Sequence, residues 1–340
     1  MKTRSTMVAG MTVAGAGLVA LLTTESLLRA QSPQIAAQPA WRLPSEAAGV
    51  EAIVRALIAV FDQADIVALG EAHDRKVDSD LRIALVRNPE FARKVRFIVV
   101  EFGSTTEQST LDRYIRGENV SAAQLARVWK TTTQAANGVW DDPVYAEFFA
   151  AVRDVNTQLP ADGRIRVFGG DPGPGDTRSR DGAAVSILKE QVLQKHGKAL
   201  VVYGAAHFYR TEVGQVLRSV GGGIVRTLDA EYPGRTLSVI PVGGRFDVPP
   251  GATLRVYPDY QKLDRALRTQ VRPVLVALQR LPFRDFTAEE FLGGGLFNCL
   301  GPGGCRSAFQ GSTLTLGQMA DALVYLGGGA DVDTKAKPAR

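Results

Sequence analysis

The sequence predicts an α/β fold of three layers: a central, mostly parallel β-sheet flanked by helices, with its site at the carboxyl ends of the strands. Three observations carry that prediction. Apolar runs of strand length recur at Ile66–Leu69, Phe97–Val100, Ile165–Phe168 and Ala199–Tyr203, separated by helical segments. Continuous rather than alternating apolar runs mark strands covered on both faces, as in parallel sheets. Each run then ends in glycine and polar groups: Glu71 and His73, Glu101, Asp171, and His207. In such sheets ligands collect outside the carboxyl ends of the strands.

The elements follow in order. Lys2 and Arg4 precede an apolar stretch from Met7 to Leu22, and Ala30 offers a small residue before Gln31. Residues 1–30 therefore read as a secretory signal peptide, with an uncleaved anchor as the alternative. Residues 31–45, with Pro33, Pro39 and Pro44, read as a linker. A single α/β domain is expected over 46–329, and a disordered charged tail over 330–340.

Within the domain, Ile53, Val54, Leu57, Ile58 and Phe61 share one face of a helix over Val50–Asp62. The Ile66 strand follows. Asp78–Lys94 is helical with a break before Pro89. Leu111–Gly117 makes one or two helical turns, and Ser121 caps the next helix through Trp129. Thr131–Asp142 is polar, with a turn at Asn137-Gly138. An amphipathic helix over Tyr145–Leu159 leads into the Ile165 strand, and Ala183–Lys195 into the Ala199 strand. Thr236–Pro241 and Ala322–Leu326 are later strands; Val274–Leu278 fits a strand or a helix start.

The formal net charge is +5, and the basic residues are scattered rather than clustered with aromatics. Nucleic acid is therefore not an expected partner; a small molecule is. Cys299 and Cys305 are separated by a Gly/Pro-rich loop. In an exported chain such a pair predicts a local disulfide. No stable transmembrane segment is expected after signal cleavage, and the predicted location is secreted or periplasmic.

The sequence lacks a Gly-x-Ser-x-Gly elbow, a His-Glu-x-x-His pair and a phosphate-binding Gly-x-x-x-x-Gly-Lys loop, which disfavours the corresponding hydrolases and nucleotide enzymes. What remains is Glu71, His73, Glu101, Asp171 and His207 at strand ends. Side chains alternate along extended backbone, so Glu71 and His73 point the same way. Glu71, His73, Glu101 and His207 suit acid–base catalysis, in which a carboxylate orients an imidazole that activates water. The same four suit a divalent metal ion. A buried ion-pair network without chemistry is the third use.

Leu69-Gly70-Glu71-Ala72-His73-Asp74, then Val100-Glu101, then Tyr203-Gly204-Ala205-Ala206-His207 resemble the superfamily that joins erythromycin esterases, ChaN-like haem-binding uptake proteins and Tiki/TraB proteins. The Gly-Glu-x-His spacing is similar to the ChaN-like branch, and Leu111-Asp112-Arg113-Tyr114-Ile115-Arg116-Gly117 is similar to the esterases. The resemblance implies an α/β fold with the site at the carboxyl edge. It implies hydrolysis in the esterase and Tiki branches, metal-assisted in the latter, and haem or iron handling in the ChaN branch. Glu71, His73, Glu101 and His207 match its motifs. Asp171, Arg180, Asp181 and Arg210 are the expected substrate contacts. An exported hydrolase is the first expectation; a haem- or iron-binding uptake protein without turnover is the alternative.

Overall fold

A computed structural model of the chain describes residues 41–211, 223–242, 266–267, 273–288, 297–298, 306–307 and 313–326. Its strands are β1 (Glu46–Ala48), β2 (Ile66–Glu71), β3 (Phe97–Ser104), β4 (Arg166–Asp171), β5 (Ala199–Gly204), β6 (Thr236–Val242), β7 (Val274–Ala277), β8 (Phe297–Asn298), β9 (Arg306–Ser307) and β10 (Ala322–Tyr325). Eight form one sheet in the order β1-β7-β10-β6-β2-β5-β3-β4. From β10 across to β4 every neighbouring pair is parallel, whereas β7 runs antiparallel to both β10 and β1. The open choice at Val274 is thus settled as a strand, and β1 is an added edge strand with no apolar run to announce it.

The helices are α1 (Val50–Val60), α2 (Lys76–Arg87), α3 (Pro89–Lys94), α4 (Gln108–Ile115), α5 (Ala122–Lys130), α6 (Pro143–Thr157), α7 (Arg180–Ile187), α8 (Ile224–Glu231) and the single turn α9 (Leu316–Met319). Local chemistry sets their starts. Asn88 accepts from Glu90 N and separates α2 from α3 at the expected break. Ser121 and Gln124 form a reciprocal capping box on α5. Asp142 caps α6 with Pro143 behind it. Ser179 accepts from Gly182 N, so α7 begins at Arg180 rather than at Ala183. It then passes into a π-helical turn over Leu188–Val192.

Both sheet faces are packed, and period two decides which residue goes where. Val67, Leu69, Leu200, Val202, Ile98 and Val100 join the core built with α1, α2 and α6. Ile66, Ala68, Val99, Val201 and Tyr203 join the core built with α7 and α8. Carried to the strand ends, this alternation sends Glu71 toward α2 and Glu101 toward α7.

The free edge at β4 is closed by side chains. Gln108 donates to Val167 O at 2.8 Å and accepts from Gly169 N at 2.9 Å. Asn156 does the same for Ile165, at 2.8 Å in each direction. Both pairs give backbone groups the partners a neighbouring strand would supply.

The N-terminal segment 1–30, most of the 31–45 linker and the 330–340 tail lie outside the described residues, as do Cys299 and Cys305. On either side of the cysteines, β8 and β9 pair antiparallel, with Asn298 opposite Arg306. Among the described residues no helix is long and apolar enough to cross a membrane.

Candidate functional site

Two charged clusters meet at the carboxyl edge of the central strands. The first is built on β2 and α2. Glu71 is the last residue of β2 and only 4% exposed. One carboxylate oxygen is paired with the Arg82 guanidinium from α2. The other lies 3.1 Å from His73 Nδ1. The expected shared direction of Glu71 and His73 is therefore realised. Arg82 is held over the rings of Phe102, Tyr145 and Phe148, at 5.0, 5.3 and 5.5 Å. The turn after β2 is fixed by Asp78, which accepts from Ala72 N at 3.0 Å, and by Tyr145, whose hydroxyl accepts from Asp74 N at 3.1 Å. Burial pushes the Asp78 carboxyl up to about 6.

His73 itself is one-third exposed. Trp140 packs edge-on against its ring, with centroids 4.8 Å apart. Burial pulls the His73 pKa down, but the hydrogen bond to Glu71 and the negative charge of Glu101 outweigh it, so the net shift is upward. With Nδ1 turned to Glu71, the other nitrogen, Nε2, is the imidazole atom left for chemistry.

The second cluster is built on β3, β5 and α7. Glu101 is fully buried. Its Oε1 accepts from Gln134 Nε2 and Arg180 Nη1, each at 2.8 Å, and lies 3.2 Å from His207 Nε2. Its Oε2 accepts from Gly204 N at 2.8 Å. His207 Nδ1 contacts Asp181, whose other oxygen accepts from Gly223 N at 2.7 Å. Burial disfavours a charged imidazole here, yet the two carboxylates prevail and raise His207 to about 9. The positive charges of His207, His73 and Arg180 in turn hold Glu101 well below the usual carboxylate range against the pull of burial. At neutral pH His207 is thus an imidazolium donating from both nitrogens, and it has no lone pair with which to accept a proton.

Several placements differ from the sequence reading. Glu101 lies within β3, which continues to Ser104 through an irregular register with β4. Arg180 and Asp181 are spent on Glu101 and His207. Asp171 is fully buried and pins the α5–α6 segment by accepting from Thr133 N at 2.7 Å and Thr133 Oγ1 at 2.6 Å. Arg210 pairs with Asp229 and Asp321 and donates to Thr236 O, apart from the histidines.

The expected metal set of Glu71, His73, Glu101 and His207 gains no support from the donor geometry. Among the described residues no three His, Cys, Asp or Glu side chains are grouped to hold a metal ion. Glu71 is committed to Arg82 and His73, and Glu101 already takes four donors.

The sequence reading passed over Arg82, Gln134 and Trp140. Arg82 had a signal, because it stands on the same helical face as Leu85 and Val86, where a charge needs a buried partner. Gln134 and Trp140 sit in a polar, turn-rich segment with no periodicity to mark them.

Gly204 has an ordinary backbone conformation, φ −53° and ψ 140°. A Cβ there would meet His73 Cε1 at 3.1 Å and Glu101 Oε2 at 3.5 Å. Gly204→Ala is therefore expected to displace the partly exposed His73 ring rather than to unfold the chain. Ligand binding or turnover should fall on the order of ten- to a hundredfold, while stability changes by under about 1 kcal/mol. Thermal unfolding measured beside a functional assay checks this; a large loss of stability with full function would refute it.

Residues 57–162, which carry Glu71, His73, Arg82, Glu101 and Trp140, match the family described as haem-binding uptake, Tiki superfamily, ChaN. No curated protein matches. Among solved structures, a Bacillus cereus protein is similar at 14% identity and TM-score 0.50, over 82% of this chain and 92% of that one. An erythromycin esterase mutant, EreC in its open conformation, is similar at 10% identity and TM-score 0.53, over 82% and 94%. Both likenesses are of fold. ChaN of Campylobacter jejuni, solved with cofacial heme, overlaps at 15% identity, over 58% of this chain and 87% of that one, with a TM-score of 0.35 too low to carry an argument. The likeness to the ChaN-like haem-binding uptake family of the Tiki superfamily thus covers residues 57–162, and the likeness to the erythromycin esterase is one of fold.

Proposed function

We propose that this protein is an exported haem- or iron-binding protein of the ChaN-like branch, with His73 as the iron ligand. The observation that carries the reading is the haem-binding uptake match over 57–162, which contains the one accessible imidazole nitrogen of the site. The donor set fits. Iron-ligating histidines offer one ring nitrogen to the metal while the other donates to a carboxylate or carbonyl, which fixes tautomer and orientation. His73 has that arrangement through Glu71. His207 does not, because both of its nitrogens are taken. The nearby tyrosines, Tyr145 and Tyr203, are fully buried. A bound haem would supply iron for delivery or redox chemistry; the chain's part is to present Nε2 and to hold the ring oriented through Glu71.

Haemin titration of the chain from residue 31 onward tests this. A saturable shift of the Soret band is expected, abolished by His73→Ala and weakened roughly 10–100-fold by Glu71→Gln. Affinity should rise with pH through the raised His73 pKa, since a proton on Nε2 competes with iron. Haemin spectra unchanged by the protein, or unaffected by His73→Ala, would end the reading.

A second reading is favoured by a different observation. Glu71 and His73 form a carboxylate–imidazole dyad beside the cationic His207 and Arg180, an arrangement suited to activating water against an ester or amide. Here His73 is the base, and His207, already charged, stabilises negative charge. Acid release from an ester panel, lost in His73→Ala, would favour hydrolysis over carriage.

A further inference from the structure

We infer that Gln134 is a specificity residue of the site: its side-chain carbonyl, set beside the Arg180 guanidinium, selects a ligand carboxamide at the mouth next to His73. Gln134 leads into the single turn Ala135–Asn137 and is half-buried. Its Nε2 donates to Glu101 Oε1 at 2.8 Å. An ionised carboxylate only accepts, so the amide must turn its nitrogen toward Glu101 and its carbonyl away. The positive charges of His207, His73 and Arg180 keep Glu101 ionised, which settles that orientation. Gln134 Oε1 takes no donor among the described residues, and it is not sealed from solvent. The site thus holds out a bare acceptor in a preset direction.

Arg180 supplies the opposite polarity. It gives Nη1 to the same oxygen of Glu101, also at 2.8 Å, and its side chain is 19% exposed. Its Nε and Nη2 have no acceptor among the described residues, yet they too are open to solvent. Gln134 Nε2 and Arg180 Nη1 meet on one oxygen, so a free acceptor and free donors flank the same point. His73 borders it: a Cβ on Gly204 would lie 3.3 Å from His73 Nε2 and 3.5 Å from Glu101 Oε2. Each of the three side chains is tied at one end, so little freedom is lost when a ligand binds. A carboxamide carries both complements, a C=O for Arg180 and an N–H for Gln134 Oε1. An ester has no N–H to give, and a carboxylate would face a bare carbonyl oxygen and the charge of Glu101. Hydrolysis of that amide rests on the hydrolytic reading; its recognition does not. In that reaction His73 takes a proton from water, whose oxygen bonds to the amide carbon. The C–N bond then breaks as the proton passes to the leaving nitrogen.

The experiment has two arms. In the first, acetamide, N,N-dimethylacetamide and acetate are titrated at constant pH and ionic strength into the chain from residue 31 onward. The readout is the His73 Cε1–H proton resonance, identified by its loss in His73→Ala. Acetamide should bind about five- to tenfold more tightly than N,N-dimethylacetamide, which keeps the C=O but has no N–H. In Gln134→Met, and in the shorter Gln134→Asn, that preference should disappear. Glu101 keeps Arg180, His207 and Gly204 as partners, so both variants should fold. No response to acetamide, equal affinities for the two amides, or a preference that survives both substitutions would overturn the inference. So would tighter binding of acetate than of acetamide, which marks a plain anion site. In the second arm, kcat/KM is compared for p-nitroacetanilide and p-nitrophenyl acetate. Gln134→Met should lower the anilide value about five- to tenfold more than the ester value. Equal losses on the two substrates would overturn the inference. If acetamide is selected through Gln134 while neither substrate is cleaved, the hydrolytic reading fails and the carboxamide site stands.

Discussion

Arg82→Ala is expected to cost about 3–5 kcal/mol of folding stability, the range for removing one partner of a buried ion pair. Glu71 and Arg82 are 4% and 1% exposed, so neither charge has water to fall back on. The guanidinium also fills space among Phe102, Tyr145 and Phe148, and its loss leaves those rings facing a void. Glu71 would keep one partner, His73, whose proton affinity should climb further. Adding Glu71→Gln to Arg82→Ala removes the stranded charge and should restore a sizeable part of the loss. Urea titration of the two single variants and the double variant measures the coupling. Strictly additive costs would show that the two side chains do not act as a pair.

Raising the pH from 6.5 to about 9 should destabilise the fold by roughly 3 kcal/mol through His207 alone. The sign follows from the direction of the shift. His207 is raised in the folded state above its ordinary 6.5, so its contribution is complete below 6.5 and is lost as pH climbs through about 9. Structurally, Glu101 and Asp181 then lose the cation they share. Unfolding free energies measured between pH 6 and 10 should fall steeply for the wild type and be nearly flat over that window for His207→Gln. A wild-type profile as flat as that of the variant would show that His207 is not held as an imidazolium.

The central strands were legible because period two and the apolar runs are local properties: Val67 and Leu69 take one face, and Ile66 and Ala68 the other. The Glu71–His73 contact was legible for the same reason. The relation between the two carboxylates was not. Extended to the strand ends, alternation turns Glu71 and Glu101 to opposite faces of the sheet, and only the helix beyond each strand decides its partner. Arg82 comes from α2 and Arg180 from the first turn of α7, a turn that exists because Ser179 caps three residues earlier than the apolar pattern begins. Arg210 illustrates the other limit. Its carboxylate partners lie 19 and 111 residues away, so nothing near it in the chain separates a ligand contact from a structural ion pair. Trp140 and Gln134 reach the site from a non-periodic segment, where sequence pattern has nothing to report.

The side chains that close β4 bear on how copies of this protein meet in a crowded compartment. An open strand edge is a template on which a second chain can lay down its own strand, and from there a stack can grow. Here Gln108 and Asn156 occupy the bonding positions of Ile165, Val167 and Gly169, so a newcomer would have to displace them one amide at a time. Self-association through this edge is thereby opposed by two neutral side chains. Any lasting assembly of this protein would have to form through some other surface.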